Sequence, residues 1–330
     1  MKIIRGAIDV SNNTQEAIES AARELLNAIV ERNELHREEV EGIFFTLTKD
    51  LTAANPAKTA REFTNASLMC FQEADIEGGM EMCLRAAVFA ETDKKIPVYL
   101  GKAKLLRPDL IIDGKKIQIA VDGPAGSGKS TISKIIADKL NIIYIDTGAM
   151  YRAVTYAALN RELDLQDEVK ISELSESLSI DFRDKSIFLD GKNIDKEIRE
   201  NMVSRNVSKV SAYARVRKRL VDLQRLFSEK KSVIMDGRDI GTVVFPNADF
   251  KFYLDASAEI RGKRRFLELR EKGEHIPLEK IIEEIKTRDL SDSQRENSPL
   301  RKAEDAIIID TGDMTVEEVV REIIKRVVYV

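Results

Sequence analysis

The segment Gly123-Pro124-Ala125-Gly126-Ser127-Gly128-Lys129-Ser130-Thr131 constrains this chain more than any other feature. It fits the pattern G-x-x-x-x-G-K-[ST]. It follows the apolar run Ile117 to Val121 and opens a helical pattern at Ile132, Ile135, Ile136 and Leu140. A strand, a glycine-rich loop and a helix in that order make a phosphate-binding loop. The glycines let backbone N–H groups turn inward around an anion, and the helix N-terminus adds the positive end of its dipole. Lys129 can reach the β- and γ-phosphates of a nucleotide, and the Ser130 hydroxyl can sit on Mg²⁺. Such a loop usually follows the first strand of its domain. Here a domain's length of chain comes first, and that stretch needs its own explanation.

A length of 330 residues suggests two domains. Hydrophobic residues at 43% and charged residues at 33% are ordinary for a globular protein. The net charge of −4 argues against nucleic-acid binding driven by global charge. Met1 to Gly6 is not followed by the apolar stretch of a signal peptide. No apolar run reaches the roughly 18 residues of a membrane span. The two cysteines, Cys70 and Cys83, are too few for a disulfide framework or a cysteine-based zinc site. The reading is a cytoplasmic protein with free thiols.

Arg107 to Lys116 contains a proline, an Asp-Gly turn signal and two lysines between two apolar runs. It divides the chain into a domain at 1–112, a linker at 113–116 and a second domain at 117–330. In the first domain, Ile3 to Val10 reads as a strand. Thr14 to Asn33 reads as a helix, with Thr14 as N-cap and Ile18, Ala22, Leu25, Leu26 and Ile29 at helical spacing. Strands follow at 40–48, 68–71, 83–91 and 98–106. In the second domain strands are expected at 117–122, 142–145, 232–236, 250–254 and 306–310. Helices are expected at 129–140, 148–160, 213–229, 257–272, 277–287 and 315–327. Strands separated by helices imply a parallel sheet with right-handed crossovers. Ser179 to Gly191 reads as an inserted hairpin.

A phosphate-binding loop alone does not name the acceptor. Asp146 to Arg152 and Val233 to Asp239 each lie where a strand ends, and ligands of a doubly wound sheet bind at those ends. Arg288 to Arg295 adds two further arginines among carboxylates. Arginines gathered there would neutralise a transferring phosphoryl group and grip it through bidentate contacts. A mobile lid bearing arginine would exclude water during the transfer.

Residues 117–330 resemble a bacterial cytidylate kinase. The resemblance rests on GPAGSGKST at 123–131, DTGAMYR at 146–152, SKVSAYARVR at 208–217, DGRDIGTVVFPNADFKFYLDAS at 236–257 and RDLSDSQR at 288–295, followed by Ser298-Pro299-Leu300. The hairpin at 179–191 resembles the insertion of bacterial members. The resemblance implies a P-loop nucleoside monophosphate kinase with a parallel sheet, using ATP and Mg²⁺ to phosphorylate CMP or dCMP. It implies that Thr147, Arg152, Arg238, Arg288 and Arg295 grip the acceptor phosphate and the transferring group. Ser208, Arg217 and Asp239 would read the cytosine edge, and Asp292 would contact the sugar hydroxyls. Arg264 or Arg265 would lie near the phosphate donor. Shikimate is an alternative acceptor, against which the cytosine-reading set and the Asp292 region argue.

The first domain offers polar residues on strand patterns: Arg5, Glu73, Arg85, Tyr99 and Arg107. An arginine within an apolar strand run, such as Arg85 in Cys83 to Val88, either faces solvent or binds an anion, because burying it unpaired is costly. His36 sits in a charged loop and reads as solvated. Residues 1–110 resemble the trimeric α/β type of chorismate mutase. The matching stretches are Ile4 to Ala7, Pro56-Ala57-Lys58 with Arg61, Cys70 to Glu73, Glu77-Gly78-Gly79, Cys83 to Arg85, Val98 to Leu100 and Leu105 to Leu110. The resemblance implies an α+β domain that builds a trimeric pseudo-barrel. It would rearrange chorismate to prephenate without a cofactor. Arg85 would face the ether oxygen, which gains negative charge as its bond breaks. Glu73 and Cys70 would hold the ring hydroxyl, and Arg5 and Tyr99 would bind a carboxylate. Arg61 would come from a neighbouring subunit, since the site in that family lies between subunits. Asn55 stands where family members often carry an aromatic residue. The alternative is a non-catalytic domain, a trimerisation scaffold or ligand sensor; Arg5, Cys70, Glu73, Arg85 and Tyr99 together argue for catalysis.

The expectation is an α/β chain joining these two activities, a homotrimer through the first domain, with small-molecule substrates and neither nucleic acid nor membrane as partner.

Overall fold

Apolar residues alternating along the N-terminal strands and recurring at three and four along one helix define the first core. The computed structural model describes residues 1–110, 116–183, 186–229, 231–271 and 273–328. It divides into two units, Met1–Ile111 and Ile112–Val330. Of the expected linker, residues 113–115 lie outside the described residues. Lys116 donates its Nζ to the Glu229 carbonyl within the second unit, at 3.1 Å.

The first unit consists of β1 (Lys2–Asp9), α1 (Gln15–Asn33), β2 (Val40–Leu47), α2 (Ala57–Ala60), β3 (Ser67–Gln72), β4 (Cys83–Ala90) and β5 (Val98–Tyr99). The sheet order is β3-β2-β4-β1-β5. β4 pairs antiparallel with β1 and β2, while β3 and β5 are parallel additions to β2 and β1. Thr14 caps α1 by accepting from the Ala17 N–H at 3.3 Å. Ile18, Ala22, Leu25, Leu26 and Ile29 are buried against Ile4, Ile8, Phe45, Leu84, Val88 and Val98. Each large aliphatic side chain so buried contributes about 1.5–3 kcal/mol. On the other sheet face the short 3₁₀ helix Gly101–Leu106 sets Ala103 against Ala7 and Cys83.

The expected strand at 98–106 stops at Tyr99. Leu100 donates a last ladder-like bond to the Ala7 carbonyl at 2.9 Å. Gly101 then takes a left-handed φ of 51°, and residues Gly101–Leu106 coil into a 3₁₀ helix. A Cβ at Gly101 would fall 2.0 Å from an Asp9 carboxylate oxygen, so the turn requires glycine.

The second unit consists of β6 (Gln118–Asp122), α3 (Lys129–Leu140), β7 (Ile143–Asp146), α4 (Thr147–Asn160), α5 (Glu168–Ser177), β8 (Ile180–Arg183), β9 (Ser186–Leu189), β10 (Lys192–Asn193), α6 (Asn201–Val210), α7 (Ala214–Ser228), β11 (Val233–Gly237), β12 (Phe250–Asp255), α8 (Ala258–Glu271), α9 (Leu278–Gln294), β13 (Ile307–Asp310) and α10 (Val316–Val328). Five strands form a parallel sheet in the order β13-β12-β6-β11-β7. The C-terminal ends of β6, β7 and β11 therefore lie side by side. β8 and β9 form the hairpin expected at 179–191, and the unexpected β10 adds a third strand to this separate small sheet, with residues 184–185 outside the described residues.

α9 runs seven residues beyond its expected end at 287. Residues 288–294 contain neither glycine nor proline, and the first breaker is Pro299. The Ser293 hydroxyl donates back to the Asp289 carbonyl at 2.8 Å, closing the last turn. The RDLSDSQR segment is thus helical through Gln294. The helices α5 and α6 were not expected from the sequence. Among the described residues no helix is long and apolar enough to cross a membrane.

Candidate active sites

In the second unit, Gly123 to Gly128 link β6 to α3, whose first turn holds Lys129, Ser130 and Thr131. Gly123 has φ 145°, and a Cβ there would lie 2.0 Å from the Leu254 carbonyl oxygen. The backbone approaches β12 so closely that no side chain fits. The Pro124 carbonyl accepts from the Ser127 hydroxyl at 3.1 Å and from Lys129 Nζ at 2.7 Å. Lys129 is buried at 6% exposure. Burial, reinforced by nearby Arg238, holds its ammonium well below the usual lysine range, and Asp236 and Asp122 oppose that effect. A phosphate arriving in the loop would supply the negative charge this buried cation lacks.

The Ser130 hydroxyl donates to Asp236 Oδ2 at 2.8 Å, and the buried Tyr144 hydroxyl donates to Asp236 Oδ1 at 2.7 Å. Burial and the neighbouring Asp146 push the Asp236 carboxyl above its ordinary range. A serine hydroxyl beside a buried carboxylate at a phosphate loop is a donor set suited to Mg²⁺, a hard, oxygen-seeking cation. Thr147 Oγ1 donates to the Asp236 carbonyl at 2.8 Å, which ties the start of α4 to β11.

Around this loop the guanidinium groups converge. Arg152 pairs with Asp146 at 2.8 Å, and Arg238 pairs with Asp292 at 2.9 Å. Arg217 is buried and ion-paired with Asp239, lies over the Tyr151 ring and donates to the Ser211 carbonyl at 3.1 Å. The Ser211 hydroxyl in turn donates to the Ser208 carbonyl at 3.0 Å, linking α6 to this cluster. Arg295 lies 3.9 Å from Asp239. Burial and then the repulsion of Arg238 lower Arg288 to about 10. Arg152 Nε, Arg288 Nε and Arg295 Nη2 are buried without a hydrogen-bond partner. Arg217 Nε and Arg219 Nε are unpartnered as well; buried donors are rarely left so, and those on arginines that feel one another's charge suit an anion.

Two expected positions take other partners. Arg264 donates to Thr311, whose hydroxyl donates to the loop carbonyl of Ser127 at 3.2 Å, and Arg265 pairs with Glu268 on the surface of α8. Arg261, which the sequence reading passed over, reaches the loop directly. It donates to the Ala125 carbonyl at 2.9 Å and the Ala256 carbonyl at 2.8 Å, and pairs with Asp289 at 2.6 Å. Nothing in the basic run 261–265 distinguishes it beforehand. Asp122, Tyr144 and Asp236 were also not singled out.

In the first unit one row crosses the sheet: Phe71, Thr46, Arg85, Ala7 and Tyr99 are successive register partners. Their side chains share the face away from α1. Arg85 is ion-paired with Glu73, which also accepts from the Thr46 hydroxyl, and the pair is 30% and 24% exposed. Burial works hardest against the Arg85 charge, but the hydrogen bond to Glu73, with the nearby Cys83, Glu73 and Tyr99 charges, together outweighs it and raises its pKa above the usual arginine value. Arg5 lies two residues from Ala7 on the same face and is exposed. Arg107 makes a bidentate contact with Asp109 at 2.9 and 2.7 Å.

Cys70 and Arg61 are not brought to this row. Cys70 pairs in register with Phe45 and packs against the α1 core, and burial raises its thiol pKa. Arg61 ends α2 and donates to the Ala66 carbonyl at 2.8 Å. Asn55 caps the start of α2 by accepting from the Ala57 N–H at 3.0 Å, a local role that an aromatic side chain could not fill. Beside Arg85, Ile3, Phe44, Met69 and Phe71 remain 42%, 37%, 46% and 44% exposed on the same face.

The family model for cytidylate kinase matches residues 119–328, and that for chorismate mutase type I matches residues 1–110. A cytidylate kinase of Clostridioides difficile (strain 630) is 54% identical over 209 residues, which is 63% of this chain and 97% of that protein. A cytidylate kinase of Alkaliphilus oremlandii (strain OhILAs) is 52% identical over 208 residues, 63% of this chain and 96% of that protein. Among solved structures, a chorismate mutase from Clostridium thermocellum is 41% identical and matches 32% of this chain and 98% of its own, with a TM-score of 0.31.

Proposed function

We propose, for a chain that belongs to the cytidylate kinase family over residues 119–328 and to the chorismate mutase type I family over residues 1–110, that it carries both activities at separate sites. The second unit transfers the γ-phosphoryl group of ATP to CMP or dCMP. An oxygen of the acceptor phosphate forms the new bond to the γ-phosphorus as the bond to the β-phosphate oxygen breaks, giving a nucleoside diphosphate and ADP. The observation that carries this reading is the set of unpartnered, buried donors on Arg152, Arg288 and Arg295 beside the phosphate-binding loop.

In this reading Gly123 to Thr131 cradle the ATP phosphates, and Lys129 follows the transferring charge. Ser130, with Asp236 behind it, would hold Mg²⁺, which supplies positive charge along the phosphate oxygens. Thr147, Arg152, Arg238, Arg288 and Arg295 hold the acceptor phosphate and the moving group. Ser208, Arg217 and Asp239 read the base, and Asp292 meets the sugar. Catalysis is positioning and charge neutralisation, with no covalent enzyme intermediate. The Arg217–Asp239 pair presents a donor and an acceptor to a base edge, which favours a cytosine nucleotide over shikimate.

The first unit rearranges chorismate to prephenate. Arg85, held by Glu73, faces the ether oxygen as its charge develops, and Glu73 faces the ring. Arg5 and Tyr99 bind a carboxylate. Within one copy, Cys70 and Arg61 lie off the Arg85 face, so they can join the site only from another subunit. The exposed apolar residues on the Arg85 face support the same conclusion, because a patch of that kind marks an interaction surface. The assembly is a homotrimer in the cytoplasm. Full-length protein assayed for CMP-dependent ADP release, beside dCMP, UMP and shikimate, tests the kinase reading. Phosphorylation of shikimate with CMP untouched would refute it. Light scattering tests the assembly, which a strictly monomeric mass would exclude.

A further inference from the structure

The turn that carries Arg238 and Asp239 is held from outside its own strand. Asp122, at the end of β6, is register partner to Gly237 at the end of β11, and it is 3% exposed. Its two carboxylate oxygens accept from the next free backbone N–H groups of the neighbouring turn. Ile240 N donates to Oδ1 at 2.8 Å and Gly241 N to Oδ2 at 2.7 Å. Those residues directly follow Arg238 and Asp239. They open a single wide turn, Ile240–Val244, in which the Asp239 carbonyl accepts from Val243 N at 2.9 Å. On its other side Asp122 adjoins Gly123, the first residue of the phosphate-binding loop.

We infer that Asp122 is a positioning residue for the acceptor half of the kinase site, its paired oxygens fixing the Arg238–Asp239 turn in register with the phosphate-binding loop. It touches neither substrate. It acts through the two N–H groups that it anchors, and the function rests on the reading of Arg238 and Asp239 as acceptor-nucleotide residues. The geometry asks for a carboxylate. Two backbone donors meet two oxygens, whereas an asparagine would offer one oxygen and turn an N–H₂ group toward the second donor. The space is also measured. A Cβ at Gly241 would meet Asp122 Oδ2 at 3.4 Å and Lys251 Cδ at 3.2 Å, and one at Gly237 would meet the Ile240 side chain at 2.6 Å.

The consequence is asymmetric between the two nucleotides. Asp122 is one of the charges that Lys129 feels. Removing it takes away one of the two carboxylates that favour the Lys129 ammonium, with Asp236 still in place beside Ser130, while the acceptor turn loses both anchoring contacts. Full-length Asp122→Asn assayed at pH 8 is therefore expected to raise KM for CMP about tenfold or more, as loss of a hydrogen bond to a charged acceptor does. Its KM for ATP should rise by much less than its KM for CMP. Thermal unfolding of the same protein checks that the second unit still melts cooperatively. Arg238→Ala and Asp239→Asn are measured alongside. If both leave KM for CMP unchanged, the reading of the acceptor site is at fault. If both raise it while Asp122→Asn moves the CMP and ATP constants together, or neither, the inference about Asp122 is overturned with that reading intact. Should Asp122→Asn fail to fold, Asp122→Glu keeps the carboxylate but displaces both oxygens by one methylene, and should raise KM for CMP about threefold with a smaller change in KM for ATP. An unchanged KM for CMP in a folded Asp122→Glu protein overturns the inference.

Discussion

Arg85→Ala should remove most of the mutase rate while leaving the kinase untouched. The Arg85 guanidinium is held by Glu73 at a site where both side chains are about two-thirds buried or more. At such a partly buried position an effective dielectric constant near 20 applies. A full positive charge about 3 Å from an ether oxygen that gains roughly half a negative charge is then worth about 3 kcal/mol in the transition state. That corresponds to a loss of about a hundredfold in kcat, within the range for deleting one preorganised donor. The variant also strips Glu73 of its partner, so its carboxylate would stand uncompensated near the substrate carboxylates and raise KM as well. The assay is the disappearance of chorismate absorbance, run on full-length protein beside CMP-dependent ADP release from the same preparation. Arg85→Lys keeps a charge but not the planar fork, and should recover only part of the loss. A kcat for Arg85→Ala within about threefold of the parent, with the protein folded, would refute the electrostatic argument.

Lys129→Ala should abolish ADP release and leave chorismate turnover unchanged; loss of both activities in a folded chain would mean the sites are not independent. Phe44→Asp places a charge among the exposed apolar residues of the Arg85 face, and should lower the mass seen by light scattering together with mutase activity, while ADP release persists. An unaltered mass would place the subunit contact elsewhere. Burial, against the two backbone donors that it accepts from, pushes the Asp122 carboxyl up to about 7. In the unfolded chain the same group ionises near the ordinary aspartate value of 3.8. Between these values the folded state holds the extra proton, so this group's contribution to stability falls as pH rises, by about 1.4 kcal/mol per pH unit. The stability advantage of the parent over Asp122→Asn should therefore shrink from pH 4 to pH 7, as measured by urea unfolding; a constant gap would contradict the assignment.

The fold was legible wherever one local signal governed a segment. Thr14 announced α1, and the pattern from Gly123 to Thr131 announced the β6–loop–α3 unit. Misreadings arose where the deciding contact is distant in sequence. Leu100 to Leu106 has strand composition, but Gly101 must clear Asp9, and no local pattern records that contact. The α9 helix continues because nothing stops it before Pro299, a rule of omission that a search for stop signals passes over. The arginines around the loop were found through motifs. Asp122 was hidden in one, because a carboxylate at a strand end gives no sign of which backbone donors it will meet. The Cys70 placement, by contrast, was readable. Cys70 and Glu73 are three residues apart along an extended segment, and odd spacing sends side chains to opposite faces.

Each unit closes its own hydrophobic core, one around Ile4, Leu25 and Phe45 and the other around Met150, Val154 and Met235. Neither core draws its residues from the other. The chain nevertheless fixes the abundance of the two catalysts at one to one, whatever the demand for either product. A cell can tune their ratio only through turnover numbers, so drift in the efficiency of one enzyme has to be answered within that enzyme's own site. The same linkage exposes each catalyst to the other's failures. A core substitution such as Leu25→Ala costs about 2–5 kcal/mol, and a protease that seizes the unfolded first unit would degrade a sound second unit with it.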